Sequence, residues 1–175
     1  MVFVDESGFR LQPVRRRTWA PKGQTPIQRA WDRHDRLSAV AAFTLAPRRR
    51  RLGSYYQLHR DNLRTEQVVA FLRAVRRQLR RKAVVVWDRW SVHRCAARWF
   101  RRHRPGWFDF EWLPAYAPEL NPVEQGWNHA KYADLANFVP DDAEHLHLEV
   151  LLHLEGQRES PRLLRSFFRF AGLPL

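Results

Sequence analysis

The feature that most limits how this chain can fold is the run Ala83-Val84-Val85-Val86-Trp87, five apolar residues dominated by β-branched side chains. It lacks the alternation of a half-exposed strand, so it predicts a strand covered on both faces. Helices packed on both sides of a sheet supply such cover. The run ends directly in Asp88. A second apolar run, Val2-Phe3-Val4, leads in the same way into Asp5-Glu6, and Ser7-Gly8 predicts its end. Two strands thus each deliver a carboxylate at a turn, and they are candidates for neighbours in one sheet.

The remaining pattern fills in that sheet. Residues 38–45 and 52–58 read as strands joined by a basic hairpin tip, Arg48-Arg49-Arg50-Arg51, which together with the first strand suggests an antiparallel meander. Over residues 65–81, Val68, Leu72, Val75 and Leu79 recur at helical spacing. Arg73, Arg76, Arg77, Arg80 and Arg81 fall largely outside that stripe. Residues 91–102 read as a helix, 108–113 as a strand and 114–122 as a proline-rich loop. Pro122 suits an early position in a helix carrying Val123, Glu124, Trp127 and Lys131. The order predicts an α/β fold, a mixed sheet flanked by helices. Two further helices, over 141–157 and 161–170, are expected to cover it, so residues 1–140 form the main domain and 141–175 a helical extension packed on it.

Composition narrows the partners. With 45% hydrophobic residues, a chain of 175 can bury a sizeable core. Lys and Arg number 31 against 18 Asp and Glu, and the resulting formal charge of +13 suits a polyanion, above all nucleic acid. Only Lys22, Lys82 and Lys131 are lysines, so nearly all the charge is guanidinium, which grips phosphate through paired donors. The single Cys95 allows no intrachain disulfide and no Cys-pair zinc site, in keeping with a reducing cytosol. No signal-peptide pattern opens the chain, and no apolar run approaches the roughly 18 to 20 residues needed to span a bilayer, so a soluble cytoplasmic protein without a membrane partner is expected. Arg15, Arg16, Arg17 and Lys22 in a turn-rich stretch are expected to meet DNA phosphates, with the neighbouring Trp19 in the core. Arg48 to Arg51 suit a nonspecific backbone contact. His145, His147 and His153 read as solvated helix positions rather than a metal site.

Asp5, Asp88 and Glu124 carry the chemistry. A carboxylate at a strand end, taken singly, is more often loop-solvated or a helix cap. Three brought together repel one another unless a hard cation neutralises them, and Mg²⁺ prefers such oxygen ligands. Two ions about 3.5–4 Å apart serve in-line phosphoryl displacement.

Four motifs occur in order: Val4-Asp5-Glu6-Ser7-Gly8-Phe9; Arg17-Thr18-Trp19-Ala20-Pro21-Lys22-Gly23; Val86-Trp87-Asp88 with His93; and the long stretch Leu113-Pro114-Ala115-Tyr116-Ala117-Pro118-Glu119-Leu120-Asn121-Pro122-Val123-Glu124-Gln125-Gly126-Trp127. From about Val2 to Lys131 the chain resembles the catalytic domain of mariner-like transposases, in their bacterial insertion-sequence branch of the DDE superfamily. The resemblance implies an RNase H-like fold with Asp5, Asp88 and Glu124 as catalytic, metal-holding acids. The separation of 36 residues between Asp88 and Glu124 is close to that superfamily's short second spacing. It also implies Mg²⁺, with Mn²⁺ as a substitute, and DNA cleavage and strand transfer in cut-and-paste transposition by at least a homodimer on transposon ends. Nucleoid association in a bacterium and no small-molecule substrate follow from the same likeness. Arg89 and Lys131 are expected at DNA. His93 is expected either to contact the scissile phosphate, to orient a carboxylate, or to be structural. Glu6, on the opposite strand face from Asp5, and Glu119, in the loop, read as structural.

Two departures from the family pattern bear on activity. Arg89 stands where the family commonly has Asn. Where the family places helix-turn-helix modules before the catalytic domain, this sequence starts almost at the first catalytic strand, which reads either as a fragment or as a chain without that module. A resolvase-type RNase H-like nuclease and an inactive DNA-binding remnant are the alternative readings.

Overall fold

The computed structural model describes residues 1–29, 36–47 and 51–175. Arg48, Arg49 and Arg50 of the predicted hairpin tip lie outside the described residues. Five strands, β1 (Val2–Arg10), β2 (Arg36–Leu45), β3 (Leu52–His59), β4 (Ala83–Trp87) and β5 (Phe108–Trp112), form one sheet in the order β3-β2-β1-β4-β5. β1, β2 and β3 make the antiparallel meander, while β4 lies parallel to both β1 and β5. The helices are α1 (Thr65–Leu79), α2 (Ser91–His103), α3 (Pro122–His129), α4 (Ala143–Glu159) and α5 (Pro161–Phe170).

Strand alternation sorts the side chains of β1 between two cores. Val2 and Val4 join Val40, Val85 and Trp87 beneath the apolar stripe of α1 and the buried face of α2, made of Ala96, Ala97 and Phe100. Phe3 and Phe9 face the other way and pack with Phe43, with Trp127 of α3, and with Leu146, Val150, Phe167 and Phe168 of α4 and α5. Phe43 stacks on Phe167 with ring centroids 5.9 Å apart. Each core is thus closed by helices, but the expectation of full cover on both faces of the Ala83–Trp87 run is met on one face only. Val85 and Trp87 are buried, whereas Ala83, Val84 and Val86 are half-covered because the helical layers reach them less completely.

Local chemistry sets where the helices start and stop. Arg80 takes a left-handed conformation, φ 54°, and closes α1 just before β4. Asp142 caps α4 and Ser160 caps α5 through their side-chain oxygens. A single π-type turn, Ala130–Asp134, continues α3. Gly126 lets α3 press against the sheet, because a Cβ there would meet Phe43 Cζ at 2.7 Å. Gln157 of α4 donates to the Gly126 carbonyl at 3.2 Å, locking α3 from behind.

Two further expectations need correction. The first strand does not end at Ser7-Gly8. It runs on to Arg10, because Ser7, Gly8 and Phe9 pair with Ala39, Ser38 and Leu37 of β2 and Phe9 is buried. Tertiary pairing overrides the local turn signal. Trp19 is not in the core: it is 99% exposed, on a segment with no regular structure to turn it inward. Among the described residues no helix is long and apolar enough to cross a membrane.

Candidate active site

The sheet topology brings the first two acids together. β1 and β4 run parallel with Val2 opposite Val85 and Phe3 opposite Val86, and the same offset sets Asp5 opposite Asp88 just beyond the paired residues. Asp5 shares the strand face of Phe3, towards α3, where Glu124 occupies the first turn. Asn121 fixes that turn in place. Its side-chain oxygen caps α3 by accepting from the Val123 amide at 3.2 Å, and its nitrogen donates to the carbonyl of Val4, the residue before Asp5, at 3.1 Å. Asn121 is 2% exposed. Sequence reasoning passed over it, although Asn before Pro122 is an N-cap signal.

Asp5, Asp88 and Glu124 line one cleft of about 520 Å³, together with Arg89, Trp90, Asn121 and the loop from Leu113 to Pro118. Asp5 Oδ2 is shut off from solvent and has no hydrogen-bond partner. Burial, then the charges of Glu124 and Glu6, hold the Asp5 carboxyl well above the usual range, against the opposing hydrogen bond from the Glu6 backbone. Burial likewise raises Glu124, with the charge of Lys131 and a side-chain hydrogen bond shared with Asp5 pulling the other way. Lys131 itself is lowered, first by burial, while Glu124 and Asp5 work to keep it charged. Its Nζ stands 5.5 Å from the Phe9 ring centroid. Lys131 therefore faces the acids as a half-buried countercharge.

Asp88 has contrasting surroundings. His93, in the first turn of α2, is completely buried and flat against Trp87, ring centroids 4.5 Å apart. Its Nδ1 lies 2.6 Å from Asp88 Oδ1, and its Nε2 lies 2.9 Å from Glu6 Oε1 and 2.8 Å from Glu6 Oε2. Burial alone would lower the imidazole pKa, but the two hydrogen bonds and two negative charges prevail and push it up to about 9. The imidazolium holds Asp88 below the usual carboxylate range, aided by the Trp90 amide at 2.9 Å and opposed by burial. Both bonds fall on Oδ1, and among the described residues no hydrogen bond is formed to Oδ2 of this cleft-lining side chain.

Of the roles open to His93, this geometry fits the orienting one better than a phosphate contact: both nitrogens are committed to carboxylates and no surface is exposed. Glu6 does project to the face opposite Asp5, and there it is the second anchor of His93. Arg89 is exposed on the cleft rim. Arg15, Arg16, Arg17 and Lys22 are exposed as well, and none of them lines the acidic cleft. The Arg16 amide donates to Asn137 Oδ1 at 2.8 Å and its guanidinium to the Tyr132 carbonyl at 3.0 Å. His145 pairs with Asp141 at 3.1 Å, and His153 lies between Glu149 and Asp134 at 3.6 and 3.9 Å. Glu119 is exposed in the short turn Pro118–Leu120.

Among the described residues no group of three or more His, Cys, Asp or Glu is already drawn together to hold a metal ion. The three cleft acids fit a hard divalent cation by chemistry: all donors are carboxylate oxygens, Asp5 Oδ2 is buried without a partner, and burial and the neighbouring acids press Asp5 towards its neutral form.

The family model of the DDE superfamily endonucleases matches residues 1–147. No curated protein matches the chain in sequence. Among solved structures, the chain is similar to the Mos1 strand transfer complex, with 17% identity, 98% of this chain and 50% of that chain covered, and a TM-score of 0.68. It is similar to the Mos1 transposase paired-end complex with left transposon end at 17% identity, 98% and 51% coverage and a TM-score of 0.69. The Mos1 mariner paired-end complex with Mn gives 16% identity, the same coverages and 0.69. The chain spans about half the length of these structures, and at such identity the likeness establishes the shared RNase H-like fold. With the motif-bearing strands, the α3 acid and the model match in agreement over most of its length, this chain belongs to the DDE superfamily endonucleases.

Proposed function

We propose that this chain is the catalytic domain of a DNA transposase that cuts DNA at transposon ends and joins the freed 3′-hydroxyl to target DNA. The observation that carries the reading is the meeting of Asp5, Asp88 and Glu124 in one cleft, with the buried Asp5 Oδ2 unpartnered. These acids would hold Mg²⁺, with Mn²⁺ able to replace it. Bound there, a pair of such ions would supply Lewis-acid activation for the attacking oxygen and charge stabilisation for the leaving one. His93, fixed by Glu6, would keep Asp88 oriented through Oδ1 and leave Oδ2 for the cation. Lys131 offsets part of the negative charge, and Arg89, exposed on the rim, would hold a phosphate. The reading extends to a homodimer on paired transposon ends in the bacterial cytoplasm, with Arg15, Arg16, Arg17 and Lys22 on flanking DNA.

Nicking of a supercoiled plasmid carrying the element's ends tests it. The native chain nicks in Mg²⁺, whereas Asp88→Asn binds the same DNA at least as tightly without nicking, because the amide removes a metal ligand and a repulsive charge together. Equal metal-dependent nicking by both proteins contradicts the site.

A further inference from the structure

The positive charge of this chain is concentrated. Residues 64–104 hold twelve arginines and Lys82 against Glu66 and Asp88 alone, a surplus of eleven positive charges within the chain's +13. Helix α2 contains no acidic residue. Its His93, Ala96, Ala97 and Phe100 are buried, while Arg94, Arg98 and Arg102 are exposed one turn apart on the other side. Among the described residues none of these three forms an ion pair. Like charges at that spacing repel along the helix. Phosphate oxygens relieve the repulsion.

The row also has a direction. α2 starts immediately after Arg89 and Trp90 on the rim of the carboxylate cleft. From Arg94 to Arg102 it advances about 12 Å at 1.5 Å per residue, the rise of three to four nucleotides of one duplex strand at about 3.4 Å each. Beyond the helix, Arg104 and Arg76 of α1 both lie over the Trp107 ring, at 5.5 and 5.7 Å from its centroid, which carries the charge onto α1.

We infer that the exposed face of α2 is a track for the phosphate backbone of duplex DNA, leading the duplex away from the cleft; the inference rests on the DNA-processing reading above. It assigns the main electrostatic grip to this helix rather than to the Arg15–Lys22 segment.

The test is the salt dependence of duplex binding, followed by fluorescence anisotropy with a labelled random-sequence duplex. The full chain is compared with the triple variant Arg94→Gln/Arg98→Gln/Arg102→Gln. The control Arg162→Gln/Arg165→Gln/Arg169→Gln removes the same charge from exposed positions of α5. The α2 variant should lose about 2.7 from the slope of log affinity against log salt, about 0.9 for each phosphate contact removed, and the α5 variant should keep the native slope. An unchanged slope in the α2 variant, or equal losses in both, overturns the track. The outcome is separable from catalysis: absent nicking with the α2-specific slope change contradicts only the transposase reading, and normal nicking without that change contradicts only the track. No duplex binding by the native chain contradicts both.

Discussion

Asp88 and Asp5 stand opposite each other on neighbouring strands, yet the protein treats them differently. Asp88 is tied to a buried imidazolium and a backbone amide and is held ionised. Asp5 has one buried oxygen without a partner, lies near other acids, and is pushed towards the neutral form. Half the site is assembled by the fold alone. The other half holds charges that a cation would relieve. All three acids nonetheless line one cleft, and burial followed by the charge of Glu124 is what raises the Asp5 carboxyl there.

Breaking the assembled half should cost most. Glu6→Ala leaves His93 Nε2 buried and unpaired and frees the ring to turn, so Asp88 loses its orientation. Removing such an outer partner typically costs about 10- to 100-fold in metal affinity or activity. Mn²⁺ affinity and nicking rate should fall together within that range, with Glu6→Gln recovering part of the loss because its amide oxygen still accepts from Nε2. Unchanged Mn²⁺ affinity in Glu6→Ala would show that Asp88 needs no such anchoring.

Next comes the support behind Glu124. Gly126→Ala drives a methyl group against Phe43, whose Cζ lies 2.7 Å from the position a Cβ would take. Overpacking of this kind costs about 1–3 kcal/mol, and the strain falls one helical turn or less from Glu124. A lower melting temperature with weaker cation binding is expected. Normal values for both would mean that α3 moves away without affecting the site.

The smallest expected effect is the pH response. His93 is raised from its ordinary 6.5 to about 9, so its contribution to stability is fully present below about pH 6.5 and is lost as pH rises through about 9. In the cation-free protein, the melting-temperature difference between the native chain and His93→Gln should shrink over that interval. A difference that grows with pH would mean that the imidazole is neutral in the fold.

The parts of this design differ in how plainly the sequence spells them. Apolar runs ending in Asp5 and Asp88, the α1 stripe and the Pro122 helix with Glu124 are local patterns, and the structure has each element within a few residues of its predicted place. The continuation of β1 through Ser7-Gly8 was hidden because the stabilising partner, β2, lies some thirty residues away. Trp19 misled because aromatic character argues for burial, while its turn-rich neighbours provide no element to carry it inward. The Glu6–His93 link spans 87 residues and depends on which strand face meets α2, something no local spacing encodes. Asn121 was legible as a cap, but its second bond, to the Val4 carbonyl, exists only once β1 and α3 have met.

The central claim is that Asp5, Asp88 and Glu124 form one cation site whose less assembled half needs the cation. Thermal melting of the native chain and of Asp5→Asn, each with and without Mn²⁺, tests it most directly. Without the ion, Asp5→Asn should melt at or above the native temperature, because it removes a buried and repelled carboxylate. With the ion, the native chain should gain stability as bound ligand demands, and Asp5→Asn should lose most of that gain. An equal Mn²⁺-induced rise in both proteins would contradict the account.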